Sequence, residues 1–453
     1  MTRAIQTNAI MRIRQWASGA LLALAAVGCS ADDILTTPPT TAVAATTAIT
    51  DPVSAAAAVA GMYDALGSGR YYGTDFVIFG DLSSDNTSHS GTFSTYRNAD
   101  QNALLADNTT TAGIWRQIYT GINTANNVLA RMPDATYLTT ALRDQYKGEA
   151  YFLRALGHHN ATKLWGAVPV VTQPTTSAEE AGQVARADTA TVYRQILADL
   201  DSAEKYIGSG KRTTTASLGA VRALRARVKL YRADWAGALA AAQSVDAMGY
   251  TLVPTYSDLF SLTGSATAED IFRLRFSDTD QNSESYYYFP KTLGGRYEVA
   301  PTTDLRSAYA ATDTRLAWNI QTSGTRVYGA KFRSVSGTEH MHVIRYAEVV
   351  LIEAEALARL NRLAEAVVQL NKVRTRAGVA PVAATTQQAV IDAIILERRL
   401  ELAFEGDRWP DMVRTGLATS FLAAKGAKTT QALYPVPQRD RDVAPGLTQN
   451  AGY

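Results

Sequence analysis

From Asp51 onward, apolar residues recur at intervals of three and four, the spacing that gathers them on one face of an α-helix. Asp51-Pro52 offers an N-cap followed by proline at the first helical position, which predicts an alanine-rich helix to about Leu66. Ile114, Trp115, Ile118, Tyr119 and Ile122 predict a second helix, and Tyr193, Ile196, Leu197, Leu200 and Ile207 a third. Strand-like stretches are few and short: Ala167–Val171 and Ile271–Phe276. The pattern reads as a mostly α protein.

Two helix pairs resemble each other. Leu218–Tyr231, a turn at Ala233-Asp234 and a helix opening Trp235-Ala236-Gly237-Ala238-Leu239 form one. Glu348–Leu360, a turn at Asn361-Arg362 and a helix opening Leu363-Ala364-Glu365-Ala366-Val367 form the other. The small residues let paired helices approach, and a period of about 34 residues is that of tetratricopeptide repeats. Gly249 and Gly378 stand where the second helices should stop. Residues 67–113 and 277–341 break the periodicity. They are polar, yet carry Tyr71, Tyr72, Phe76, Phe79, Phe93 and Tyr96, then Tyr286, Tyr287, Tyr288, Phe289, Tyr297, Tyr309, Trp318 and Tyr328. Long polar segments of this kind are functional loops or disorder, and so many aromatics argue against disorder.

The N-terminus adds a location. Ala17–Val27 is apolar, follows Arg12 and Arg14, and precedes Gly28 and the chain's one cysteine, Cys29. The run is too short to span a bilayer and has the layout of a signal peptide. A cleavage site abutting a lone cysteine resembles a bacterial lipoprotein signal, with Cys29 as the lipid attachment point; Ala26 departs from the leucine usual three places before it. The expected plan is a signal peptide at 1–28, a Thr-, Pro- and Ala-rich tether at 29–50 and one folded domain at 51–453, with an N-terminal part to about 265 and a C-terminal part from about 266. Removing residues 1–28 takes away three arginines and no acid, which leaves a nearly neutral chain without the basic surplus that attracts nucleic acid or anionic lipid. A lone cysteine also excludes a disulfide framework and a cysteine-based zinc site.

Catalytic constellations fail in turn. Gly208-Ser209-Gly210-Lys211 imitates a phosphate loop, but Arg212 replaces the hydroxyl residue. The five histidines form no H-E-x-x-H, and His158 and His159, adjacent on a helix, point apart. Asp278, Asp280 and Asn282 imitate a calcium loop without its glycine or its terminal glutamate. Glu397, Glu401 and Glu405 share a helix face in ERRLELAFEGDRWPDMVR, with Arg398, Arg399 and Arg408 interleaved at ion-pairing distances. Arginines beside each acid lower its pKa, the opposite of what a glycosidase acid requires, so this block is read as a structural ion-pair network.

That block carries a family resemblance. ILERRLELAFEGDRWPDMVRTG, the upstream RYAEVVLIEAEALARLNRLAEAVVQLNKVRTRAGV and the terminal LYPVPQRDRDVAPGLTQNAGY resemble the SusD/RagB family, as do Trp115–Ala130, EAYFLRALGHHNATKLWGAVP, Asp313-Thr314-Arg315 and the start CSADDILTTPPTT. The resemblance implies a SusD-like fold: tetratricopeptide-like helix pairs as a scaffold, with long irregular loops on the ligand side. It implies a surface-exposed, lipid-anchored outer-membrane protein that binds a nutrient, foremost an oligosaccharide, and delivers it to a SusC-type TonB-dependent transporter, with no catalysis and no cofactor. Alternative readings are a tetratricopeptide-type adaptor for a peptide or protein, and a glycan hydrolase. Candidate ligand contacts are Tyr96, Arg97 and Asn98 in the early loop, Tyr286, Tyr287 and Tyr288, and Trp318. A tyrosine triplet in a strand alternates faces, so at least one member should turn to the core.

The cysteine reading is tested by Cys29→Ser. A nearly neutral mature chain has no polybasic second anchor, so the variant should leave the membrane fraction. Equal retention, or a mature N-terminus elsewhere, would overturn lipidation.

Overall fold

Asp51 starts the first helix by a reciprocal cap. Its carboxylate accepts from the Val53 and Ser54 amides while Ser54 Oγ accepts from the Asp51 amide, and helix α1 runs Pro52–Gly67. This computed structural model describes residues 49–383 and 385–453. The signal peptide, Cys29 and all but the last two residues of the expected tether lie outside the described residues. The other long helices are α4 (Thr109–Arg131), α5 (Thr140–Trp165), α6 (Thr189–Tyr206), α7 (Leu218–Tyr231), α8 (Trp235–Asp246), α10 (Tyr346–Arg359), α11 (Leu363–Arg376) and α12 (Gln387–Glu401), with α13 (Arg408–Thr415) after them. Helix makes up 56% and strand 7%, so the mostly α expectation holds.

The helices pack in succession: α1 on α4, α4 on α5, α5 on α6, then α7 with α8, α8 with α10 and α10 with α11 and α12. Ile114, Ile118 and Ile122 of α4 are wholly buried, as the periodicity required. The two repeated hairpins share one geometry. Ala233 and Asn361 adopt left-handed φ values of 56° and 59° between their helices, and Gly249 and Gly378 both stand at 74° after them. Glycine reaches that region without the Cβ clash other residues meet.

Two expectations need correction. Ala167–Val171 is not a strand; only Val168 bridges to Ala187. Helix side chains take its other backbone groups: Tyr119 Oη donates to the Pro169 carbonyl, Asn126 to that of Val171, and the Val171 amide donates to His158 Nε2. Residues 67–113 and 277–341 are not irregular throughout either. They contain α2 (Asp75–Leu82), α3 (Ser94–Asp100), α9 (Glu284–Tyr288) and the antiparallel pairs β1/β3 (Thr87–His89, Val299–Pro301) and β4/β5 (Ile320–Ser323, Arg326–Gly329). Every residue of α2 is buried, and a helix buried all round shows no amphipathic period to read. The strand expected at Ile271–Phe276 is β2 (Asp270–Leu274), paired antiparallel with β6 (Met341–Arg345).

The glutamates of the C-terminal block are buried and ion-paired, but not with the arginines beside them in sequence. Glu401 meets Arg345, Arg376 and Arg315 at 2.5–2.8 Å. Glu397 meets Arg315 and Arg374, and Glu405 meets Arg345 and Lys331. Arg398 turns instead to Asp411, Arg399 to Asp304 and Asp85, and Arg408 to Asp85. The interleaved arginines leave the helix on other faces and bind different segments, so the i±4 reading names the charges correctly and their partners wrongly.

Burial alone would raise these carboxyl pKa values. The guanidiniums reverse that: Arg376, Arg345 and Arg315 hold Glu401 well below the usual range, and Arg345 with Lys331 brings Glu405 down to about 2. A carboxylate depressed by folding contributes stability that is fully present above its unfolded pKa of about 4.3 and is lost as pH falls through the folded value. Acid unfolding should therefore deepen between about pH 4 and pH 2, followed by circular dichroism. Glu401→Gln should cost about 3–5 kcal/mol at pH 7, because three buried guanidiniums lose their shared anion, and the gap to wild type should narrow as pH falls towards 2.

Candidate functional site

Two of the aromatic-rich segments converge on one open groove of about 400 Å³, lined by Arg70, Asp75, Phe93, Tyr96, Ser283 and Tyr287 among others. Helix α2 supplies Asp75, α3 supplies Tyr96, and α9 supplies Tyr287. The rings form a cluster: Phe93 and Tyr96 each lie 5.9 Å from Tyr287, and Phe93 lies 5.5 Å from Tyr96. Arg296 stacks over Phe93 with its guanidinium carbon 4.2 Å from the ring centre.

Hydrogen bonds fix the floor. Tyr96 Oη donates to Asp75 Oδ1 at 2.6 Å and Arg70 donates to Asp75 Oδ2 at 2.7 Å. Burial raises the Asp75 pKa, against the pull of the Tyr96 hydroxyl and the Arg70 guanidinium. Arg70 keeps half of its side chain in solvent. An edge-to-face aromatic cluster beside a carboxylate, a guanidinium and hydroxyls suits a ligand with both C–H faces and hydroxyl groups.

The sequence-derived candidates do not all meet here. Tyr96 and Tyr287 do; Tyr96 is only 2% exposed and forms wall rather than rim. Arg97 is exposed and Asn98 half-buried on the same helix, outside the lining. The tyrosine triplet occupies a helical turn and not a strand. Tyr286 is exposed with its ring 5.5 Å from that of Tyr287, and Tyr288 is 2% exposed against Phe404. Tyr288 is thus the core member. Trp318 lies in a separate groove with Thr255, Tyr256 and Thr314, stacked under Arg333, because Arg315 beside it is drawn into the buried network. Asn282 of the calcium-like stretch spends its amide on the Gly337 and Glu339 carbonyls. Reading the sequence missed Arg70 and Asp75. Arg70 follows the first helix directly, but nothing in its surroundings distinguished it from a surface arginine.

Both walls of the groove rest on the turn after α12. Gly80 of α2 leaves so little room that a Cβ there would sit 2.0 Å from the Gly406 carbonyl oxygen, and the Gly406 amide donates to Asp81. Phe404 packs edge-on against Tyr288, 5.2 Å away, under the other wall. Between the walls Glu284 is buried with neither carboxylate oxygen hydrogen-bonded. Burial, then the nearby Asp81 and Asp75, push its pKa well up, and burial brings Asp81 to about 7.

Two family models match the chain: "SusD family" over residues 273–432 and "Starch-binding associating with outer membrane" over residues 34–230, between them most of its length. SusD-like protein P38 of Formosa agariphila is 26% identical, over 87% of this chain and 90% of the relative. SusD-like protein P2 of the same organism is also 26% identical, over 82% and 85%. Among solved structures, a SusD superfamily protein from Bacteroides vulgatus superposes with a TM-score of 0.82 at 20% identity, over 89% of this chain and 99% of the other. A laminarin-binding SusD-like protein superposes with 0.80 at 24%, over 89% and 100%. The chain belongs to the SusD/RagB family. Members of that family are binding proteins.

A carboxyl whose pKa is raised by folding stays protonated past its unfolded value near 4.3, and the fold loses stability as pH rises above that value. Glu284→Gln should therefore leave Tm nearly unchanged at pH 4 and raise stability at pH 8 by on the order of 1 kcal/mol or more. Calorimetric melting at the two pH values checks this.

Proposed function

We propose that this protein captures an oligosaccharide in the groove and passes it to a SusC-type TonB-dependent transporter, held at the outer membrane by a lipid on Cys29. The observation that carries the reading is the convergence of Phe93, Tyr96 and Tyr287 beside Asp75 and Arg70. Rings separated by almost two hundred residues of chain meet at one groove, with Phe93 and Tyr287 partly open to solvent, and such rings can stack sugars. The family's starch-binding description and the laminarin-binding structural neighbour support a glycan as the ligand. Tyr287 and Phe93 are the stacking residues of this proposal, with exposed Tyr286 beside Tyr287 outside the lining, Arg70 the hydroxyl-binding one, and Tyr96 the wall that orients Asp75. The proposal leaves Tyr288 in the core and gives Trp318 at most a separate contact.

Binding without hydrolysis fits the acids. Asp75 is the one carboxylate lining the groove among the described residues, and it is already engaged by Tyr96 and Arg70, whereas the usual glycosidase needs two carboxylates flanking the bond.

Titration calorimetry with laminari-oligosaccharides tests the groove. Tyr287→Ala should weaken binding by about 1 kcal/mol or more, the scale of one aromatic contact, while Tm stays near wild type because the ring is only half-buried. Trp318→Ala should leave affinity unchanged. The reverse pattern would move the site to the second groove. Co-purification of a large outer-membrane barrel with the lipidated protein tests the transporter.

A further inference from the structure

A second cavity, of about 420 Å³, opens beside β2 and carries a different chemistry. Its wall includes Arg273, Arg275 and His340, with the hydroxyl residues Thr214, Thr263 and Thr338. This volume lies within the range of small-ligand sites. Arg273 is only 4% exposed. It donates to the Gly264 carbonyl at 2.8 Å and the Ser265 carbonyl at 3.1 Å, which fixes the loop that forms one side. The acid near it, Asp270 at 3.6 Å, is shared with His342 at 3.1 Å and with the Thr267 amide and hydroxyl. Arg275 is exposed and has no ion-pair partner among the described residues. Arg273 Nε and His340 Nδ1 have no hydrogen-bond acceptor. Arg275 is therefore an exposed guanidinium without an acid partner among the described residues, while burial, then Arg273 and Arg275, lower the His340 pKa and favour its neutral imidazole.

The cavity also has a wall residue close to the segment that lines the groove. Phe276, on its wall, packs against Gly67, and the next residue, Ser68, lines the groove. Phe276 and the Gly67-Ser68 step thus bring a wall of the basic cavity next to the edge of the groove.

We propose that this cavity is a second subsite that receives an anionic substituent, a carboxylate or a sulfate ester, on a sugar chain held in the aromatic groove. The proposal rests on the glycan reading of that groove. Guanidinium groups bind such oxyanions by paired, charge-assisted hydrogen bonds, and the low-dielectric wall concentrates their field. Arg275 is the exposed clamp, and Arg273 and the threonine hydroxyls are the fixed side.

The test compares wild type with Arg275→Ala on three oligosaccharides of equal length: a neutral β-glucan, a uronate oligomer and a sulfated glucan. In calorimetry at constant ionic strength, Arg275→Ala should weaken an anionic chain about tenfold, as loss of one charge-assisted hydrogen bond does, and leave the neutral chain unchanged. Whichever anionic chain shows the loss identifies the substituent. A parallel arm titrates free glucuronate and inorganic sulfate while following the His340 imidazole by NMR. A His340 shift in wild type that is absent in Arg275→Ala supports the subsite even if no chain binds, in which case the groove reading falls alone. Wild-type affinity of Arg275→Ala for both anionic chains, an equal loss for neutral and anionic chains, or a His340 signal indifferent to both anions would overturn the subsite while neutral-chain binding upholds the groove.

Discussion

The buried charge network around Glu401 is the constraint on which the rest of the body depends. Five acids, Glu269, Asp313, Glu397, Glu401 and Glu405, face five cations, Arg315, Lys331, Arg345, Arg374 and Arg376. They come from the end of β6, the end of α11, the end of α12 and the turn after it, the segment before β2, and the segment 313–331 that contains β4 and β5. Burying so many charges is not by itself a source of stability, since desolvation offsets much of the attraction. What the network supplies is specificity of arrangement: any misplacement strands a buried charge at a cost of several kcal/mol. It fixes where α12 ends, and therefore where the turn Leu402–Asp407 emerges.

From that turn the constraint reaches the ligand side. Phe404 takes φ of 66°, a left-handed value unfavourable for a residue with a Cβ, and is held there by packing against Tyr288 and Gly329. Gly406 takes 79° and lies against α2. The two walls of the groove, α2 with α3 on one side and α9 on the other, are thus set by two residues of a turn that does not itself line the groove. A rigid support behind a binding surface lowers the entropy lost when ligand binds.

The scaffold was legible in the sequence because its physics is local. Helix periodicity, an Asp-Pro start and glycine stops depend on residues a few positions apart, and α1, α4, α6 and both repeated hairpins follow them. The charges of the C-terminal block were legible as a network because acids and arginines at such density must pair. Their partners were not, since Arg315, Arg345 and Arg376 arrive from distant segments. Helix α2 was invisible because it is buried on every side, Asp75 and Asp81 included, and so shows no amphipathic period. The groove was half-legible: aromatic residues in polar segments marked Tyr96 and Tyr287, but which of three consecutive tyrosines faces solvent depends on whether they lie on a helix or a strand. Arg70 and Asp75 gain meaning only through each other and Tyr96.

This division between scaffold and groove has a consequence for how ligand choice is encoded. The helix pairs are held by small residues and repeated turns, and the network by charges that tolerate no vacancy. Groove residues such as Arg70, which is exposed, and Tyr287 and Phe93, which are partly exposed, carry little of that burden. Exchanging them costs the fold little, because surface substitutions away from caps and buried pairs change stability by only about 0.5 kcal/mol. Tyr96 and Asp75 are different: their hydrogen bond is buried, so they belong to the groove and to the fold at once. If the groove holds the ligand as proposed, specificity can vary at the rim while the floor stays fixed, and the proposed anionic subsite beside β2 would add a second variable surface.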